Sequence, residues 1–134
     1  MKVFLDTNVL VGAFAARGLC ADLLREVLAG HEFVTGEVVL VELRRVLTQS
    51  AGVSTQVAEE VDRFLRGSHV VPRPADHCGL GLRDPDDEWI VASAVAAGAD
   101  MLVTGDADIL AAATALPVRA LTPRQAWRVL RGGG

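Results

Sequence analysis

Apolar and polar positions along this chain fall into alternating short and long blocks, and the blocks read as alternating strands and helices. Lys2–Leu5 predicts a short buried strand, ended by Asp6-Thr7-Asn8, three good helix-capping residues. Alanine-rich apolar sequence follows until Gly18 interrupts it, and Leu19–Leu28 predicts a second helix closed by Gly30. Glu32–Val34 is a brief strand, and a helix is predicted from Thr35-Gly36 to about Gln49. Ser54-Thr55 caps another, whose Val57, Ala58, Val61, Phe64 and Leu65 recur at helical spacing. His69–Val71 predicts a third strand. The stretch from Pro72 to about Pro85 is irregular and rich in proline and glycine, and loops of that length in a small domain are usually functional or mobile. A helix over Asp86–Ala97 ends at Gly98. Met101–Val103 is a strand, Asp106–Ala113 a helix, Val118–Ala120 a strand and Pro123–Leu130 a last helix. Residues 1–131 are expected to form one domain and Gly132–Gly134 a flexible tail.

Strands that alternate with helices pair in parallel through right-handed crossovers. The expected fold is therefore α/β: a three-layer α/β/α sandwich around a small, mainly parallel, doubly wound sheet of five strands. In such a sheet ligands bind beyond the carboxyl ends of the strands, where the strand order reverses. That edge is where chemistry is to be sought.

Composition narrows the class. A hydrophobic share of 51% and a mean hydropathy of +0.34 exclude a disordered chain. No apolar run reaches the roughly 18 residues of a membrane span. Met1 and Lys2 lead straight into the first strand without a signal-peptide layout, so a cytoplasmic location is expected. Cys20 and Cys78 read as free thiols of a reducing compartment. Neither cysteine, nor His31, His69 or His77, stands at zinc-ligand spacing. The net charge of −4 argues against a protein that coats nucleic acid by charge alone. One bound divalent cation would halve that charge and two would cancel it.

Four carboxylates fall at or near the carboxyl edge. Asp6 directly follows the first strand, and Asp106 follows Met101–Val103 after Thr104-Gly105. Asp87 lies in the first turn of the helix that the long loop enters. Glu42 sits inside a helix among Val38, Val39, Val41, Leu43 and Val46, where a carboxylate is costly unless a cation meets it. It is about two turns, on the order of 10 Å, past the helix start, and helical side chains tilt back toward that start. Taken singly, Asp6 and Asp106 also read as helix caps, Asp87 as a complement to a helix dipole, and Glu42 as the partner of Arg45. Their convergence on one edge favours a shared cause, a site for Mg²⁺ or Mn²⁺.

The same residues carry a family resemblance. Asp6-Thr7-Asn8-Val9-Leu10, Glu42-Leu43-Arg44-Arg45-Val46-Leu47, Asp84-Pro85-Asp86-Asp87-Glu88-Trp89-Ile90-Val91-Ala92-Ser93-Ala94 and Leu102-Val103-Thr104-Gly105-Asp106-Ala107-Asp108 stand in order and nearly span the chain. Together they resemble the motifs of PIN-domain ribonucleases, particularly the prokaryotic toxins of the VapC type. The resemblance implies a PIN-like fold in which Asp6, Glu42, Asp87 and Asp106 coordinate Mg²⁺ or Mn²⁺. Asn8, Thr104 and Asp108 would support the site. Ile90, Val91 and Ala94 then follow Asp87 on one inward face, which sets the register of the third motif.

The implied activity is metal-dependent endoribonuclease cleavage, leaving a 5′-phosphate and a 3′-hydroxyl, in the toxin of a toxin–antitoxin pair. A carboxylate-held cation activates water and stabilises charge on an attacked phosphate. A small antitoxin and a second copy of the chain are the implied protein partners, with the apolar stretches Val9–Ala16 and Val57–Leu65 as candidate surfaces. Arg44, Arg45, Arg73 and Arg83 are candidate RNA contacts. Trp89 is expected in the core, and with two Trp, four Phe and no Tyr, RNA shape is expected to matter more than base sequence. The rival reading is a PIN-like module without turnover that acts by binding a protein or RNA. A phosphatase using the acid after the first strand would need a second Asp where Asn8 stands. A receiver domain would need a late lysine, and Lys2 is the only lysine.

Overall fold

The computed structural model describes residues 1–77 and 79–132. Within it, Val3, Phe4 and Leu5 of β1 (Lys2–Leu5) are wholly buried because β1 is the middle strand, flanked on both edges and covered on both faces. Burying each of these side chains contributes roughly 1.5–3 kcal/mol. The partners of β1 are β2 (Glu32–Gly36) and β4 (Met101–Val103). β3 (His69–Val71) and β5 (Ala120–Leu121) form the edges, giving the order β3-β2-β1-β4-β5 with every pair parallel.

Seven α-helices among the described residues flank the sheet in the expected α/β/α fold. They are α1 (Thr7–Ala15), α2 (Leu19–Gly30), α3 (Glu37–Gln49), α4 (Thr55–Arg66), α5 (Pro85–Ala96), α6 (Ala107–Ala111) and α7 (Pro123–Leu130). α1 packs on α2 and α3, α2 on α7, and α5 against β2 and β4. α5 is buried from Ile90 through Ala94, which explains its alanine and serine content: only small side chains fit a helix enclosed on several sides. No single helix among the described residues is long and apolar enough to cross a membrane.

The strand order locates the functional edge. The chain moves outward from β1 to β2 and β3, then crosses back to β4 on the other side of β1. The reversal opens a crevice beyond Leu5 and Val103, where Asp6 and Thr104 begin the next turns.

Several boundaries differ from the sequence expectation, by one or two residues for α2 and α5 and more tellingly at three places. Thr35 and Gly36 continue β2 instead of opening α3, since they pair with Val70 and Val71 of β3. Gly36 fits closely there, since a Cβ would stand 3.2 Å from Ser93 Cβ and 3.3 Å from Val71 Cγ2 and would press on both. The last strand is Ala120–Leu121, starting two residues and ending one residue later than expected, because its register is set by Leu102 and Val103. α6 stops at Ala111 and a 3₁₀ turn, Ala113–Ala115, takes over. Cys20 is a half-buried free thiol. Cys78 and the glycines at 133 and 134 of the expected tail lie outside the described residues.

Candidate metal centre

The carboxylate of Asp6 is fixed by its own element boundary. Asp6 continues the β1–β4 ladder by donating its backbone N–H to Val103 O (2.9 Å), then caps α1. One carboxylate oxygen accepts from Thr7 N (2.7 Å), the other from the Thr104 hydroxyl (2.7 Å). Thr104 Oγ1 in turn accepts from Asp106 N at 3.0 Å. The expected supporting residue Thr104 is thus a buried link between the turns after β1 and β4. Burial raises the pKa of Asp6, the Thr104 and Thr7 hydrogen bonds lower it, and the nearby Asp106 charge raises it.

Asp106 caps α6, accepting from Asp108 N (2.9 Å) and Ile109 N (3.0 Å). Asp87 enters from α5, where Asp84 caps the helix and accepts from Asp86 N at 2.9 Å. Asp87, Asp106 and Asp108 each bring an oxygen into a group whose members lie within 4.8 Å of one another. Asp87 Oδ2 is buried and has no hydrogen-bond partner. Burial, followed by the charges of Asp106, Asp84, Asp6 and Asp108, pushes the Asp87 carboxyl up to about 7. Three hard oxygen donors with an orphaned buried atom fit Mg²⁺ or Mn²⁺. Ligand oxygens around such an octahedral cation lie roughly 3–4 Å apart, given bonds of about 2.0–2.1 Å.

Glu42 stands outside that trio. It is half-buried on α3, and burial raises its pKa; the Thr7 hydroxyl favours the charged form, Asp6 opposes it, Arg45 favours it and Asp86 opposes it. Thr7 is itself wholly buried, and its hydroxyl lies near the Glu42 carboxylate without completing a hydrogen bond. The four expected acids and Asp108 thus form a chain of neighbours, with Asp87, Asp106 and Asp108 at one end, Asp6 between, and Glu42 at the other. Asp108, expected only in support, belongs to the tightest group. Asn8 is exposed and, among the described residues, makes no side-chain hydrogen bond.

The arginines divide. Arg44 pairs with Glu59 of α4 at 2.9 Å. Arg83 is exposed in the loop before α5. Arg45 and Arg73 line a groove of about 270 Å³ beside Glu42, with Val38, Val41, Asp86 and Trp89. Trp89 is therefore a half-buried groove wall and not the core residue expected, because it lies on the face of α5 turned toward the loop. Arg73 lies over its ring, 4.2 Å from the centroid, and His77 meets its edge at 5.7 Å. Sequence reasoning also missed Glu88, which is 7% exposed and accepts from Gly81 N at 2.9 Å. Its place beside three conspicuous acids, Asp84, Asp86 and Asp87, at the helix start hid an anchor for the loop.

Residues 2–108 match the family model described as PIN domain. No curated protein matches the chain. Among solved structures it is similar to the VapBC2 complex from Rickettsia felis bound to a promoter DNA fragment (TM-score 0.64, 20% identity, covering 91% of this chain and 98% of the other). It is also similar to VapBC-1 from nontypeable Haemophilus influenzae (TM-score 0.66, 17% identity, 92% and 99%). A third likeness is to FitAcB from Neisseria gonorrhoeae (TM-score 0.62, 16% identity, 91% and 98%). At such identities the likeness is one of fold.

Proposed function

The chain belongs to the PIN-domain family, and on that premise we propose that it is a Mg²⁺- or Mn²⁺-dependent endoribonuclease, the toxin of a toxin–antitoxin pair. The observation that carries this reading is the convergence of Asp87, Asp106 and Asp108, together with a buried Asp87 oxygen that has no hydrogen-bond partner. Asp6, Glu42, Asp87 and Asp106 would hold the cation, joined by Asp108. A divalent cation there supplies charge neutralisation at an attacked phosphate and a more acidic water.

The protein's own residues do the positioning. Thr104 holds Asp6 and the turn of Asp106 at a fixed separation, so neither acid must be ordered when substrate arrives. The mutual repulsion of the carboxylates is the cost of this arrangement, and it is relieved only when positive charge enters. The Asp87 carboxyl, pushed up to about 7, would be held in its charged form by a bound cation. Asn8, at the exposed start of α1, faces solvent at the same edge and would contact substrate or water there.

The VapBC and FitAcB likenesses support a small antitoxin as partner, and the exposed Val57 and Phe64 of α4 support a protein-covered surface, with a homodimer proposed. We assign the protein to the cytoplasm and its substrate to RNA. The test is incubation of pure protein with structured RNAs in Mn²⁺ or Mg²⁺ and then in chelator, beside Asp6→Asn and Asp87→Ala. Cleavage should require the cation and both acids. Cleavage that survives chelation or these substitutions would remove the metal centre, and no cleavage of any RNA would leave only a binding module.

A further inference from the structure

The groove beside Glu42 contains features that holding a cation does not require. Its volume of about 270 Å³ is just under the roughly 300–1,000 Å³ of drug-sized sites, enough for one planar ring system and not for several. One wall is a cation–π pair already laid down, the Arg73 guanidinium over the Trp89 indole. Val41 is 66% exposed although it sits on a helix whose inner face is buried, and with Val38 it gives the groove an apolar side. Arg45 and Arg73 supply positive charge. Three carboxylates also line it: Glu37 is engaged by Arg66 at 2.5 and 3.0 Å, Glu42 belongs to the acidic site, and Asp86 makes no side-chain hydrogen bond among the described residues.

We propose that this groove seats a single nucleobase of the RNA, in the nucleotide next to the bond that is cut. The base stacks on the Arg73 plane, as bases stack on guanidinium and aromatic faces in single-stranded recognition, with Val38 and Val41 against its rim. Arg45 meets the neighbouring phosphate. Asp86 accepts from an exocyclic amine, as acidic side chains do from cytosine N4. With Glu37 paired to Arg66 and Glu42 given to the cation, Arg45 and Arg73 are left to meet an anionic backbone, which a nucleotide has and a polypeptide lacks. Glu42 and Asp86 line the groove, and Asp87 of the acidic group follows Asp86 on α5, so an occupant is contiguous with the acidic site. This subsite rests on the nuclease reading above, and it makes the protein a reader of one base where composition alone suggested shape.

The chain has two tryptophans, so Trp127→Phe leaves Trp89 as the sole fluorophore. That protein is titrated, with Ca²⁺ present to neutralise the carboxylates, with a single-stranded oligoribonucleotide and with its abasic counterpart. The base-bearing strand should quench Trp89 and bind roughly ten- to a hundredfold more tightly. Oligocytidylate should bind several-fold more tightly than oligouridylate. Arg73→Ala and the surface change Val41→Asp, each shown folded by circular dichroism, should lose that advantage. Arg73→Lys should lose nearly as much, because it keeps the charge but not the plane. Equal affinity for abasic and normal strands, full recovery by lysine, or quenching only by a basic peptide overturns the proposal. The cleavage assay keeps the two readings apart: base-dependent quenching without cleavage removes the nuclease alone, and cleavage without base-dependent binding removes the groove alone.

Discussion

Replacing Asp87 by asparagine should stabilise the cation-free protein while destroying its response to the cation. The Asp87 carboxyl lies in a group of acids with one oxygen buried and unpartnered, and it is pushed from 3.8 up to about 7. A rise of roughly three pK units corresponds to at most about 4 kcal/mol at 1.36 kcal/mol per unit. The side chain is only partly shielded, so solvent screening reduces the expected effect to about 1–2 kcal/mol. The sign follows from proton linkage: the folded state holds this proton to higher pH than the unfolded state does, so raising pH destabilises the fold. Below about pH 4 the carboxyl is protonated in both states and wild type and variant should match on this account. The advantage of the variant should grow between pH 4 and pH 7 and stay level above. Urea unfolding in chelator across that range measures it. Adding Mn²⁺ at about a hundred times its dissociation constant should stabilise wild type by roughly 2.7 kcal/mol and leave the variant behind. An Asn variant that is less stable than wild type in chelator at pH 8, or an advantage independent of pH, would refute the view of Asp87 as a charge stored for a cation.

Three further outcomes follow from the packing. Thr104→Val removes the hydroxyl shared by Asp6 and Asp106 N; it should cost about 1–3 kcal/mol in thermal unfolding and weaken Mn²⁺ binding by roughly ten- to a hundredfold in titration, and wild-type behaviour in both would make the link idle. Gly36→Ala pushes a methyl onto Ser93 and Val71 and should lower stability by about 1–3 kcal/mol, read as a drop in Tm. Arg66→Ala frees α4 from Glu37 of α3 and should cost no more than about 1 kcal/mol, fading in high salt. Because Arg66 holds the Glu37 carboxyl below its ordinary value, the stabilisation is present above about pH 4.5 and is lost as pH falls; a penalty that persists at low pH would contradict it.

The sequence by itself determined most of the architecture, because strand and helix are written in hydrophobic period and the order of blocks forces parallel crossovers. It also marked Asp6, Asp87, Asp106 and Glu42, since each is a charge at a boundary or inside an apolar helix. What it left open depends on contacts between segments far apart in the chain. Thr35 and Gly36 read as a helix start until β3 pairs with them. Thr104 becomes a bridge only when β4 lies beside β1 and brings its hydroxyl to Asp6, 98 residues away. Asp108, a turn acid by sequence, joins Asp87 because α5 and α6 begin at the same edge. Trp89 has the apolar character of a core residue, and only the path of the loop places Arg73 on its ring and opens the groove beside it. Local pattern decides what a segment becomes; which side chains meet is decided by the packing of segments distant in sequence, a coupling that no single stretch of the chain encodes.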